Sequence, residues 1–190
     1  MTRQVLFVQG AGENVHEAWD RKLVESLERE LGEDYNVRYP RMPNEDDPRY
    51  STWKSALLEE FRTLGDDTIL VGHSVGGTVL LHVLAEQRLG FKPAALILIA
   101  PPFIGDGGWP GNDIKARTDF QERLPAGLPL LIYHGSEDQD VPLAHAQLYA
   151  KQISRAVVRV LARRDHQLNN DLSEVARDIQ SLVLDDRGRR

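Results

Sequence analysis

Residues 68–89, TILVGHSVGGTVLLHVLAEQRL, decide how the rest of the chain is read. Thr68 to Val71 is a short run with the composition of a strand covered on both faces. Val75 to Leu89 is largely apolar over helical length and reads as a buried helix. Between them lies GHSVGG, with Gly72, Ser74 and Gly76 in the register G-x-S-x-G. So short a pattern occurs by chance in many proteins, and the strand before it and the helix after it give it its weight. Such a turn is sharp and strained, so Gly72 and Gly76 are expected where backbone comes too close for a side chain. Ser74 is then expected at the apex, before the positive end and free N–H groups of the helix.

Outward from this turn, strand-like runs alternate with segments of helical period. The runs are Val5 to Val8, Tyr35 to Tyr39, Thr68 to Val71, Ala94 to Ala100, Leu128 to Tyr133 and Ala156 to Leu161. Trp19, Leu23, Leu27 and Leu31 mark one helix stripe closed by Gly32. Trp53, Leu57, Leu58, Phe61 and Leu64 mark a second, opened by Ser51 and closed by Gly65. Pro142 starts another helix, and the last opens at Asn170 or Asp171 and buries Leu172, Val175, Ile179 and Leu182. The alternation predicts an α/β fold: a doubly wound, mostly parallel six-stranded sheet with helices on both faces and ligands at the strands' carboxyl ends. Residues 1–184 are expected to form a single domain, and DDRGRR, 185–190, a frayed charged tail.

Composition removes several functions. The formal net charge of −6 argues against a surface for nucleic acid or an anionic membrane. With no cysteine, the chain carries neither a disulfide nor a thiolate nucleophile. The longest apolar run, Ala94 to Ala100, is far below the roughly 18 residues of a membrane span, and the apolar start is too short for a signal peptide. The expectation is a soluble, cytoplasmic protein acting on a small ligand, with no metal or cofactor and no protein partner indicated.

A serine hydroxyl is a weak nucleophile until a base takes its proton, so Ser74 needs a histidine and a carboxylate from later loops. YHGSEDQDVP follows the fifth run and supplies Asp138; ARRDHQLNN follows the sixth and supplies His166. Both loops lie at the carboxyl edge that holds Ser74. Asp140, two residues before Pro142, is explained as a charge near a helix N-terminus but stays the alternative acid. Asp165 adjoins His166 and can hardly fold onto its ring. His82 and His145 fall within helices and read as packing residues, His73 as structural, and His134 as a brace for the acid loop. An oxyanion formed on a bound carbonyl would meet the amide of Val75; the Gly10-Ala11-Gly12 turn after the first strand offers a second donor, assigned to Ala11. That turn is not a dinucleotide fingerprint, because Val15 stands at the third glycine position. His16, just beyond it, is a possible pocket residue. Residues 101–125 form the one long irregular connection, at the same edge, where Phe103, Ile104 and Trp109 either wall the pocket or seal the sheet.

GHSVGG, HGSEDQDVP and DHQL together resemble α/β-hydrolases. The segment YPRMPNEDDPRYSTW, with Met42, Pro43, Asn44 and Trp53, is similar to a narrower group, the small lid-less serine hydrolases related to retinoblastoma-binding protein 9. The resemblance spans nearly the whole chain. It implies the strand order 2-1-3-4-5-6 and a Ser, Asp, His triad at Ser74, Asp138 and His166. The glycine turn QGAGEN departs from the group's pattern. The expected activity is hydrolysis of a small ester or thioester through an acyl-enzyme. The alternatives are a non-catalytic interaction module on the same fold, or an amidase or peptidase with the same triad.

Overall fold

A computed structural model describes residues 2–187. Six strands, β1 (Arg3–Val8), β2 (Tyr35–Arg38), β3 (Ile69–His73), β4 (Ala95–Ile99), β5 (Leu130–Gly135) and β6 (Ala156–Leu161), form one sheet in the order β2-β1-β3-β4-β5-β6. Every pairing is parallel, from Val5 opposite Val37 to Leu130 opposite Ala156. The helices are α1 (Arg21–Leu31), α2 (Tyr50–Phe61), α3 (Ser74–Glu86), the single turn α4 (Phe120–Arg123), α5 (Ala144–Gln152) and α6 (Ser173–Arg187).

The period-two alternation of strand side chains sorts the core into two layers. Val5, Phe7, Ile69, Val71, Ile97 and Ile99 pack with Leu23 and Leu27 of α1 and Val175 and Ile179 of α6. Leu6, Val8, Leu70, Leu96 and Leu98 point the other way, to Trp53 and Leu57 of α2, Leu80 and Val83 of α3 and Tyr149 of α5. Both faces of the central strands are therefore buried, which is why their sequence runs are apolar without alternation. None of the described helices is long and apolar enough to cross a membrane.

Some element ends differ from the sequence expectation for identifiable reasons. Val15–Asp20 forms a π-helical turn before α1, and the wider winding turns Asp20 inward while Trp19 is left 53% exposed. The stripe thus begins at Asp20 and Leu23, and Gly32 closes it with φ 73 as expected. Helix α2 starts at Tyr50 rather than Ser51; its opening amide donates to Asp113 Oδ2 at 2.6 Å, a cap supplied from the long connection. It ends at Phe61, well before Gly65. Helix α3 stops at Glu86, short of Leu89. Asp171 Oδ1 accepts the Ser173 N–H at 3.0 Å at the start of α6. That helix runs through Arg187, so 185–187 are helical backbone; of the expected tail, 188–190 lie outside the described residues.

Candidate active site

The turn between β3 and α3 puts Ser74 at φ 50, in the left-handed region that non-glycine residues enter at a cost. The glycines around it are there because backbone passes too close for a Cβ. A Cβ on Gly76 would sit 1.9 Å from the carbonyl oxygen of Gln9, and one on Gly72 2.5 Å from the Cα of Gly77. The first contact presses the elbow against the end of β1, so Ser74 and the turn Gly10-Ala11-Gly12 come to one place. The amide of Val75 lies in the first turn of α3, where N–H groups have no intrahelical acceptor. Gly12 takes φ 140, and its amide donates to the carbonyl of Glu45 at 2.6 Å. The Glu45 carboxylate accepts from Gln9 Nε2 at 2.5 Å and from the His16 amide at 3.0 Å, while Gln9 Oε1 accepts the Met42 amide at 2.9 Å. The segment around Met42 and Pro43 is the brace of this turn.

At the other side of the cleft, Nδ1 of His166 lies 2.8 Å from Oδ2 of Asp138. Oδ1 of Asp138 accepts the amides of Asp140 and Val141, both at 2.9 Å. The Asp138 side chain is fully buried. Burial works to raise its pKa, but the hydrogen bond from His166 and the two amides overcome it and hold the carboxyl below the ordinary aspartate range. His134 fixes this loop: its Nε2 donates to the carbonyl of Val141 at 2.8 Å and lies 3.3 Å from Asp138 Oδ2. The two loops meet because position 135 is glycine, where a Cβ would stand 2.2 Å from the carbonyl oxygen of Arg164. Asp140, the alternative acid, meets Asp138 through its amide, and its exposed side chain faces the cleft.

Ser74, Val75, Gly10, Ala11 and His166 line one cleft of about 670 Å³. Ser74 and His166 form no hydrogen bond to each other among the described residues; such bonds are often long before substrate binds. Asp138, Asp140 and His166 bring three possible metal-ligand atoms within 4.8 Å of one another, but the Asp138 and His166 atoms already bond each other, and we read no metal centre there.

The expected pocket residues divide. Trp109 lines the cleft, presented by a tight loop in which its amide donates to the carbonyl of Phe103 at 2.8 Å. Phe103 and Ile104 do not line it: both are buried, and Phe103 packs edge-on against Tyr149 at 4.9 Å, sealing the sheet. His16 does not line it either. Its ring is buried and stacked on Tyr39 at 4.1 Å, which turns it away from Ser74. His82 and His145 are packing residues; burial drives the His82 pKa down to about 4, and His145 Nδ1 accepts the Phe103 amide at 2.8 Å.

Several residues of the site escaped the sequence reading, among them Trp19, Asp20 and Gln167. Trp19 lines the cleft instead of the core. Asp20 is buried and bonds His73, and its one sequence signal is an acid three residues before Leu23 on a helix's apolar face.

A model of the alpha/beta hydrolase family matches residues 5–185. YdeN of Bacillus subtilis (strain 168) is 25% identical over 162 residues, 84% of this chain and 84% of that one. The crystal structure of the ydeN gene product superposes with TM-score 0.74 and 22% identity, covering 96% of this chain and 99% of its own. Est1E from Butyrivibrio proteoclasticus, solved with ferulic acid bound, gives TM-score 0.70 and 20% identity over 96% and 88% of the two chains. These structural likenesses are likenesses of fold.

Proposed function

Because the chain belongs to the alpha/beta hydrolase family, we propose that it is a serine hydrolase that cleaves a small ester or thioester through an acyl-enzyme. The observation that carries the reading is the His166–Asp138 pair at 2.8 Å, its carboxylate buried and its ring opening on the same cleft as Ser74. Ser74 Oγ attacks the carbonyl carbon as His166 takes its proton. Asp138 holds the ring with Nδ1 protonated and balances the imidazolium. The developing oxyanion rests on the amides of Val75 and Ala11. His166 then gives its proton to the leaving group and activates a water that releases the acid.

The narrower relation to the lid-less hydrolases related to retinoblastoma-binding protein 9 belongs to the same proposal. It is supported by the Met42-Pro43 segment bracing the oxyanion turn and by a long connection with room for only the single turn α4. The cleft lining adds a constraint on substrate. Glu137, Asp140 and Asp165 line it and no lysine or arginine among the described residues does, so a neutral or cationic substrate fits better than an anionic one.

A fluorophosphonate probe tests the reading, since only an activated serine reacts with it quickly. Wild-type protein is expected to gain one adduct, on the peptide that carries Ser74, and to lose esterase activity in step. Absence of both reactivity and turnover on a panel of esters, thioesters and amides would leave the non-catalytic module as the answer. Turnover on amides alone would make the protein an amidase.

A further inference from the structure

Behind Ser74 lies a second Asp–His pair that the hydrolytic steps do not use. Asp20 and His73 are both buried, with Nδ1 of His73 2.9 Å from Oδ2 of Asp20. Three chain segments that build the cleft end on this pair. The Gly10 amide, at the oxyanion turn, donates to Asp20 Oδ2 at 2.7 Å. Gln167 Nε2 donates to Asp20 Oδ1 at 3.2 Å. His73 Nε2 donates to the main-chain carbonyl of His166 at 3.2 Å. His73 itself is the residue before Ser74.

The chemistry of the partners fixes the charge. A carboxylate faces one ring nitrogen and a carbonyl the other, and both are acceptors, so His73 must donate from both and is an imidazolium. Burial opposes that charge, but the Asp20 carboxylate and the two hydrogen bonds outweigh it and raise the His73 pKa. For Asp20 the same balance, burial against His73, Gly10 and Gln167, lowers the pKa. A dry ion pair is costly to desolvate and is weak support for stability alone. Its placement explains it better.

We propose that Asp20 and His73 are positioning residues for hydrolysis: as a buried ion pair they hold the His166 loop and the oxyanion turn in register with Ser74. The proposal rests on the serine-hydrolase reading above. A neutral His73 can donate from one nitrogen only. Facing Asp20 it keeps that bond and releases the His166 carbonyl, so turnover falls on the alkaline side. The titratable groups facing His73 are Asp20 from the π-helical turn, His166, whose ring centroid is 4.9 Å away, and, farther off, Asp138.

The test is Asp20→Asn, which keeps shape and an acceptor for Gly10 but removes the counter-charge. Loss of alignment is expected to lower kcat about 10- to 100-fold with KM little changed, and to slow probe labelling of Ser74 equally. The alkaline limb of kcat should move to lower pH by at least about one unit. His73→Gln should cost a similar factor, remove that limb, and add little to Asp20→Asn in the double variant, as expected of residues that act as one. A second measurement needs no variant: nitrogen-resolved imidazole NMR of wild-type protein should show His73 protonated on both nitrogens at pH 7, losing a proton where the alkaline limb falls. A folded Asp20→Asn protein with kcat within about twofold of wild type and an unshifted profile overturns the proposal, as does a neutral His73 at pH 7. Wild-type protein that neither labels nor hydrolyses overturns the hydrolase reading and this proposal with it; an active wild type matched by Asp20→Asn overturns this one alone.

Discussion

Among the described residues two Asp–His pairs have nearly equal length, 2.9 Å for Asp20–His73 and 2.8 Å for Asp138–His166, and they are set differently. In the first, both ring nitrogens are spoken for and the ring is sealed. In the second, one nitrogen is held while the ring keeps 14% of its side-chain surface open. The contact between carboxylate and imidazole is the same, so it does not mark a catalytic pair. On the proposed reading, what the second nitrogen faces decides: a carbonyl makes a strut, and an open cleft beside a strained serine makes a base.

The sharpest way to break this contrast is Ser74→Ala. The replacement removes only the Oγ and keeps the Cβ, so melting temperature should change little while ester hydrolysis falls to background. Substantial turnover in clean Ser74→Ala protein would refute the covalent mechanism. Next is Asp138→Asn, which frees the wrong imidazole tautomer; in one well-studied triad such a change costs about 10⁴ in kcat. Asp140→Asn removes an exposed carboxylate and should leave kcat within about tenfold. If the two variants exchange these outcomes, the acid lies two residues along the loop.

Stability against pH sharpens the same contrast. The His73 pKa is raised, so its contribution is full below the unfolded value of 6.5 and is lost as pH rises through the folded value. The Asp20 pKa is lowered, so its contribution is present above 3.8 and is lost as pH falls through the folded value. Between about pH 4 and 6.5 the pair is fully formed, and Asp20→Asn should cost on the order of 3 to 5 kcal/mol there, the cost of leaving one buried charge alone. The gap should close as pH rises, because a neutral His73 no longer needs the carboxylate. Denaturant unfolding of both proteins across pH 4 to 10 measures it, and a gap that stays constant would mean His73 carries no charge in the fold.

How much of this was legible in the sequence follows from what sequence encodes. Strand runs, chain order and the glycines at 72 and 76 were readable, because double-sided burial and backbone crowding leave local marks. The loops that carry Asp138 and His166 were readable as loops, since each follows its strand directly. The Asp20–His73 strut was not. It joins residues 53 apart, and the π-helical turn that aims Asp20 inward has no composition of its own. The helical period puts Trp19 in the core, because a regular helix would carry it on the face of Leu23. The sequence leaves Phe103 and Ile104 open between pocket and core, and only the fold of the long connection sends Trp109 alone of the three to the cleft.

The smallest effect concerns substrate charge. Glu137, Asp140 and Asp165 stand on the cleft, no lysine or arginine among the described residues lines it, and Trp19 and Trp109 supply the aromatic surface. Lys22 lies 5.5 Å from the centre of the Trp19 ring and offsets part of that negative field. Three esters sharing one acyl group isolate the charge: an alcohol carrying a quaternary ammonium, its uncharged tert-butyl isostere, and one carrying a carboxylate. At low ionic strength kcat/KM should fall in that order, with a spread of about three- to tenfold, the modest size expected of exposed charges acting on encounter. At about 1 M salt, where the screening length is about 3 Å, the three should converge. An order that survives the salt would move the selectivity from the carboxylates to contact with the two tryptophans, and Trp109→Ala would then be the variant that abolishes it.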